Sequence, residues 1–189
     1  MSWVALDRAA KLAEIRGDGE RRETWNATAD EIRDDILENG VDARGVLRQH
    51  YETDSLDAST LLAAIFGFLP GDDDRLRATV RAVADELTQD GFVLRYVTEE
   101  TDDGLAGEEG SFLICSFWLV SALAIVGELQ QARDLMERLL QVASPLGLYA
   151  EEFDVPTGRH LGNFPQAFTH LSLIEAAARI IVPELLGYY

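Results

Sequence analysis

EGSFLICSFWLVSALAIVGELQQARDLMERLLQV, residues 109–142, reads as two helices of different kinds joined by a short turn. The first, over 109–126, is apolar on nearly every side, its apolar run from Phe112 to Val126 broken by Ser116 and Ser121. A helix without a polar face has to be buried on several sides at once. The second, over 129–142, repeats Ala132, Leu135, Met136, Leu139 and Leu140 at helical spacing and keeps charged residues between them. That pattern is one apolar stripe on an otherwise solvated helix. The spacing therefore predicts an antiparallel helix pair at the centre of an all-α protein.

The same grammar extends outward in both directions. Residues 3–15 carry Trp3, Val4, Leu6, Ala9, Ala10, Leu12 and Ala13 at a 3.6-residue period, and Arg16-Gly17-Asp18-Gly19 stops them. Residues 21–39 repeat Trp25, Ala29, Ile32, Ile36 and Leu37 before Gly40. A third helix is expected over 56–66, capped by Asp57 or Asp54. A fourth is expected over 72–89, through Leu76, Val80, Val83, Ala84 and Leu87, between the Pro70-Gly71-Asp72 turn and Asp90-Gly91. A seventh is expected over 164–182, ended by Pro183. Residues 45–51 alternate briefly and are strand-like or irregular; no strand pattern of convincing length appears. Two long connections remain, 92–109 and 148–163. Helix, short turn, helix, long loop is the pattern of stacked helix pairs whose loops gather at one end. The expectation is a single helical domain over 1–189.

Composition excludes several classes. The chain has 189 residues, 34 acidic and 16 basic, and a formal charge of -18, which disfavours nucleic acid and anionic membrane surfaces as partners. No apolar run is long enough to span a bilayer, and no secretory leader is visible at the N-terminus. Cys115 is the lone cysteine, so no disulfide forms within the chain and an inert buried thiol is expected. A cytoplasmic location is the expectation. Lys11 is the single lysine against fifteen arginines. A GC-rich genome produces that bias, and a salt-adapted one produces it together with the acidic excess.

Chemistry concentrates in LYAEEFDVPTGRHLGNFPQAFTH, residues 148–170. Glu151 and Glu152 sit side by side in a loop among Tyr149, Phe153, Phe164, Phe168 and His170. A loop carboxylate beside aromatic walls is suited to a general base acting on a sugar, and it is equally a solvated acidic turn. Arg95-Tyr96 with Glu108 and Glu109 flanks the other long loop. These residues could hold sugar hydroxyls, or the carboxylates could simply favour a helix N-terminus. His50, His160 and His170 lack metal-ligand spacing and read as satisfied structural or capping histidines, with His170 able to line a pocket. Neither a phosphate-cradling glycine loop nor a nucleophile elbow is present.

Over essentially its whole length the chain resembles glycoside hydrolase family 15, the family of glucoamylases, prokaryotic trehalases and glucodextranases. The anchors are EEGSFLICSFWLVSALA at 108–124 and GLYAEEFDVPTGRHLGNFPQAFTHLSLI at 147–174, supported by MSWVALDRAAKLAE at 1–14 and DSLDASTLL at 54–62. The resemblance implies an (α/α)6 toroid and inverting hydrolysis of α-glucosidic bonds without a cofactor. It places the general base on Glu151, with Glu152 as a supporting neighbour, a substrate-binding arginine on Arg95 and a cleft-lining role on Glu109. The family's general acid lies in a tryptophan–glutamate motif that has no matching position here.

The chain is therefore expected to be the C-terminal, base-bearing part of the catalytic domain, about half of the full barrel, through truncation, a split gene or a late start codon. Its seven helices leave inner faces for an N-terminal half or a second copy to cover. Alone it should turn over little, since losing general acid catalysis costs about 100- to 10,000-fold. Its ligand would be a disaccharide or oligosaccharide of glucose, with trehalose and starch-type glucans both open. The alternatives are a non-catalytic helical carbohydrate-binding or scaffold protein and an acidic helical adaptor.

Overall fold

A computed structural model describes residues 1–97 and 109–181. It is built from stacked antiparallel helix pairs. Helix α1 (Ser2–Ile15) packs along α2 (Gly19–Asn39) across a tight turn at Gly17. Asp18 caps α2 by accepting the Arg21 backbone N–H at 3.2 Å. The Trp25, Ala29, Ile32, Ile36 stripe is the less exposed side of α2, and Ala29 is buried outright. Trp3 closes this corner edge-on against Phe68, with ring centroids 5.1 Å apart.

Helix α5 (Leu113–Ile125) is the hub, packed against α3 (Leu62–Ile65), α4 (Asp74–Glu86), α6 (Leu129–Gln141) and α7 (Ala167–Ile181). Nine of its thirteen residues are buried, which accounts for the absence of a polar face. Its two serines are accommodated by local partners. Ser116 donates to Phe112 O at 3.1 Å and accepts the Val93 N–H at 2.9 Å, while Ser121 donates to the Glu175 carboxylate on α7. Arg179 completes this clip by bonding Glu175 and, at 3.3 Å, the carbonyl of Ile65.

Several boundaries differ from the sequence expectation, for reasons visible in the packing. The third helix is a 3-10 turn, Ala58–Leu61, running into α3. Asp57 is held extended by a bridge to Tyr96, so helical geometry cannot begin at residue 56. Asp57 is the cap, accepting the Ser59 N–H at 2.7 Å. Helix α4 stops at Glu86 because β1 (Thr88–Gln89) and β2 (Phe92–Val93) form a hairpin over Asp90-Gly91. Both turn residues have positive φ, 49° and 85°, as a twisted two-residue hairpin requires. The fifth helix starts at Leu113 rather than 109, because Ser111–Phe112 form β3.

The expected loop over 148–163 contains β4 (Glu152–Asp154) and β5 (Arg159–Leu161), which extend β3 into a three-stranded antiparallel sheet. Strands of two or three residues are too short for an alternating pattern to register in the sequence. Among the described residues no helix is long and apolar enough to cross a membrane.

Candidate active site

Strand β3, the residue before β4, the segments at 57–59 and 95–96 and the N-terminal parts of α5 and α7 meet around a cavity of about 400 Å³. Its walls include Asp57, Arg95, Tyr96, Trp118, Glu151 and Phe168. Two sequence-predicted residues, Arg95 and Glu151, are thus brought to one cavity, each from near the start of one of the two long connections. Glu151 sits where β4 begins: its backbone N–H donates to Asn163 O, and its carbonyl accepts the Leu113 N–H, each at 3.0 Å. Its carboxylate is oriented by Asn163, whose backbone N–H and Nδ2 donate to Oε2 at 3.3 and 3.1 Å. Among the described residues Oε1 has no hydrogen-bond partner.

Among the described residues Arg95 is held by Tyr96, Phe112 and Glu109. Its guanidinium lies 4.5 Å from the Tyr96 ring centroid and 5.1 Å from that of Phe112. Its Nη2 donates to Tyr96 Oη and, at 2.7 Å, to Glu109 Oε1. With side chains about a third and a quarter exposed, the Arg95–Glu109 pair contributes little to stability, about 1 kcal/mol or less. Its effect is to fix the direction of the fork. Glu109 is not among the residues that line the cavity; it meets Arg95, which is. Glu108 lies outside the described residues.

Glu152 points away from its neighbour, as adjacent residues on a strand must. Its Oε2 accepts the Gly110 N–H at 2.9 Å, and it is absent from the cavity wall. Burial pushes its carboxyl above the ordinary range. The Gly110 N–H and Arg95 oppose this, while the charges of Glu109 and Glu151 add to it. His160 and His170 lie behind Glu151, bonded to backbone. Among the described residues no three His, Cys, Asp or Glu side chains gather as a metal site would require. Burial also pushes the Cys115 thiol far above its usual range, so it is inert where it meets the cavity.

Sequence reasoning passed over Asp57, Trp118, Asn163 and Gln166. For Trp118 the structure supplies the reason: Ile114 and Trp118, one helical turn apart, are the partly exposed residues of α5 ahead of its last turn, where Ala124 and Ile125 are partly exposed too. For Asp57 the capping role was legible and the cavity was not. Asn163 depends on the hairpin that folds it back onto Glu151.

Residues 1–178 match the description glycosyl hydrolases family 15, and the chain belongs to that family. Its relatives are trehalases. That of Mycolicibacterium smegmatis is 64% identical over 184 residues, covering 97% of this chain and 28% of that protein. That of Mycobacterium tuberculosis is 62% identical, over 97% of this chain and 27% of that protein. That of Thermoplasma acidophilum is 40% identical, over 95% of this chain and 31% of that protein. The chain thus spans less than a third of the length of these relatives. Among solved structures, a glycosidase variant in complex with glucose superposes with a TM-score of 0.80 at 23% identity, over 94% of this chain and 49% of that one. A wild-type glycosidase gives 0.76 at 24% identity, over 93% and 48%. The fold is a partial (α/α)6 toroid, about half of the barrel.

Proposed function

We propose that this chain is the C-terminal, base-bearing portion of a trehalase-like inverting glycoside hydrolase, residues 1–189 forming one helical unit of its catalytic domain. The observation that carries the reading is the Glu151 carboxylate at the wall of a cavity it shares with Arg95, one oxygen tethered by Asn163 and the other without a hydrogen-bond partner among the described residues. In an inverting reaction a carboxylate takes a proton from water as that water attacks the anomeric carbon. A second carboxyl group, on the far side of the bond, protonates the departing oxygen. Glu151 fits the first task. The second belongs to a part of the toroid outside this chain. Arg95, braced by Glu109, would hold sugar hydroxyls, with Trp118 and Phe168 as apolar walls for the ring. Glu152 supports the strand. The 64% identical trehalase favours trehalose as substrate.

The apolar stripe Phe168, Leu171, Ile174 and Ile181 on α7 is 60–75% exposed, and Ile15 on α1 is 81% exposed. These are the faces that the remaining part of the ring would cover. The test is glucose release from trehalose and from maltooligosaccharides, by the chain alone and by the chain assembled with the rest of the toroid. Turnover in the assembled form only, abolished by Glu151→Gln, is the expected result. Turnover in neither would move the reading to a carbohydrate-binding protein.

A further inference from the structure

The three residues Tyr149, Ala150 and Glu151 have all six backbone polar groups paired; the two Glu151 bonds continue the β3–β4–β5 sheet, and the other four go to a helix N-terminus and to side chains. Tyr149 O accepts the Gln166 N–H at 2.9 Å, Ala150 O accepts the Thr169 hydroxyl at 3.0 Å, and the two Glu151 groups bond Asn163 O and Leu113 N. The remaining two donors go to imidazoles. The Ala150 N–H donates to His160 Nδ1 at 3.1 Å, and the Tyr149 N–H donates to His170 Nε2 at 3.3 Å. Each ring's other nitrogen faces a carbonyl at 2.7 Å, Val142 O for His160 Nε2 and Gln166 O for His170 Nδ1. A nitrogen against a carbonyl must carry a proton, and a nitrogen receiving an N–H must not. The partners therefore assign both rings: His160 is the Nε2–H tautomer, His170 is the Nδ1–H tautomer, and both are neutral.

We infer that His160 and His170 are positioning residues for Glu151, a pair of neutral imidazoles that fix the backbone immediately before it. This rests on the reading of Glu151 as the general base. The geometry around them supports it. Tyr149 and Ala150 are buried, so water cannot replace a lost acceptor. The Tyr149 ring is wedged between the two imidazoles, with centroids 6.5 Å from His160 and 5.7 Å from His170, and its hydroxyl donates to Leu139 O at 3.0 Å. Phe153 and Phe164 close edge-on over His160, at 5.7 and 6.0 Å. The segment has no freedom to slide, and the carboxylate that follows inherits its placement. A catalytic group has to be held within about 0.5 Å of its working position.

The first measurement is long-range proton–nitrogen NMR of the histidine rings in the full chain at neutral pH. It should show Nε2–H at His160 and Nδ1–H at His170. The opposite tautomer or a cation at either ring overturns the inference. The second is kinetic, in the hydrolase assembled with the rest of its toroid. His160→Leu and His170→Leu should lower kcat about 10- to 100-fold with little change in KM, because the sugar contacts are intact and the base is displaced. His160→Asn and His170→Gln place a carbonyl oxygen near the lost acceptor nitrogen and should recover most of kcat. Leucine variants with unchanged kcat, or leucine and amide variants equally impaired, would overturn the positioning role. Full turnover by Glu151→Gln would instead defeat the base reading, while the tautomer result stands independently of it.

Discussion

Replacing Gly162 with alanine puts stability and placement of the base on one experiment. Gly162 has φ +71°, and a Cβ there would lie 2.8 Å from Glu151 Oε2 and 3.0 Å from Glu151 Cβ. The left-handed conformation costs an alanine about 1 kcal/mol. The carboxylate is flexible and will swing aside, giving up its two contacts with Asn163, each contributing about 0.5–1 kcal/mol. The Cβ–Cβ contact cannot be relieved that way and pushes β5 from β4. The total is about 2–3 kcal/mol, or a fall in Tm of about 4–12 °C for a chain of this size. Gly158, in the same hairpin, is the control: its φ is +66° and nothing lies within 4 Å of the added Cβ. Gly158→Ala should lose only the conformational part. Thermal unfolding of both variants gives the difference. Glucose release by the assembled hydrolase should fall about 100-fold for Gly162→Ala alone, the loss that a displacement of about 1 Å produces. Equal Tm and equal turnover in the two variants would refute the claim that Gly162 keeps room for the base.

Other expectations are simpler. The Glu152 carboxyl is raised chiefly by burial, so the native state holds its proton more tightly than the unfolded chain. Its contribution to stability is present in acid and is lost as pH rises through the raised value. Glu152→Gln should therefore show a flatter stability profile as pH rises above the ordinary glutamate range, and a Tm at pH 7 no lower than that of the parent. An unchanged slope would refute this. Asp73 has the opposite sign: its bond to the Arg75 side chain, against the effect of burial, holds its carboxyl below the ordinary range. It also caps α4 through the Arg75 N–H at 2.9 Å. Asp73→Ala should cost about 1 kcal/mol in urea unfolding at pH 7, and the difference should shrink as pH falls below about 4. A deficit that persisted undiminished at low pH would count against the charged cap. Cys115 should react with an alkylating agent only after denaturation; rapid labelling of the native chain would contradict its burial.

The sequence by itself determined the helices and the candidate chemistry. Those depend on neighbours three or four residues away, which is the range over which a helical face is written. The apolar run over 109–126 had to be buried on several sides, the stripe over 25–37 had to face a partner, and Asp57 stood with Asp54 as a candidate cap, whereas the caps at Asp18 and Asp73 came from the structure. Glu151, Arg95 and Glu109 stood out as residues because charge among aromatics is visible in one dimension. What only the tertiary structure decided was which of these meet. Ser111 pairs with Phe153 and Asp57 with Tyr96, about forty residues apart in each case. Such pairings join segments too short to show a strand period. The same long-range contacts sent Glu151 into the cavity and Glu152 out of it, and set the proton positions on His160 and His170. A tautomer is chosen by whichever backbone group arrives at each ring nitrogen, and that is known only once the chain has folded back on itself.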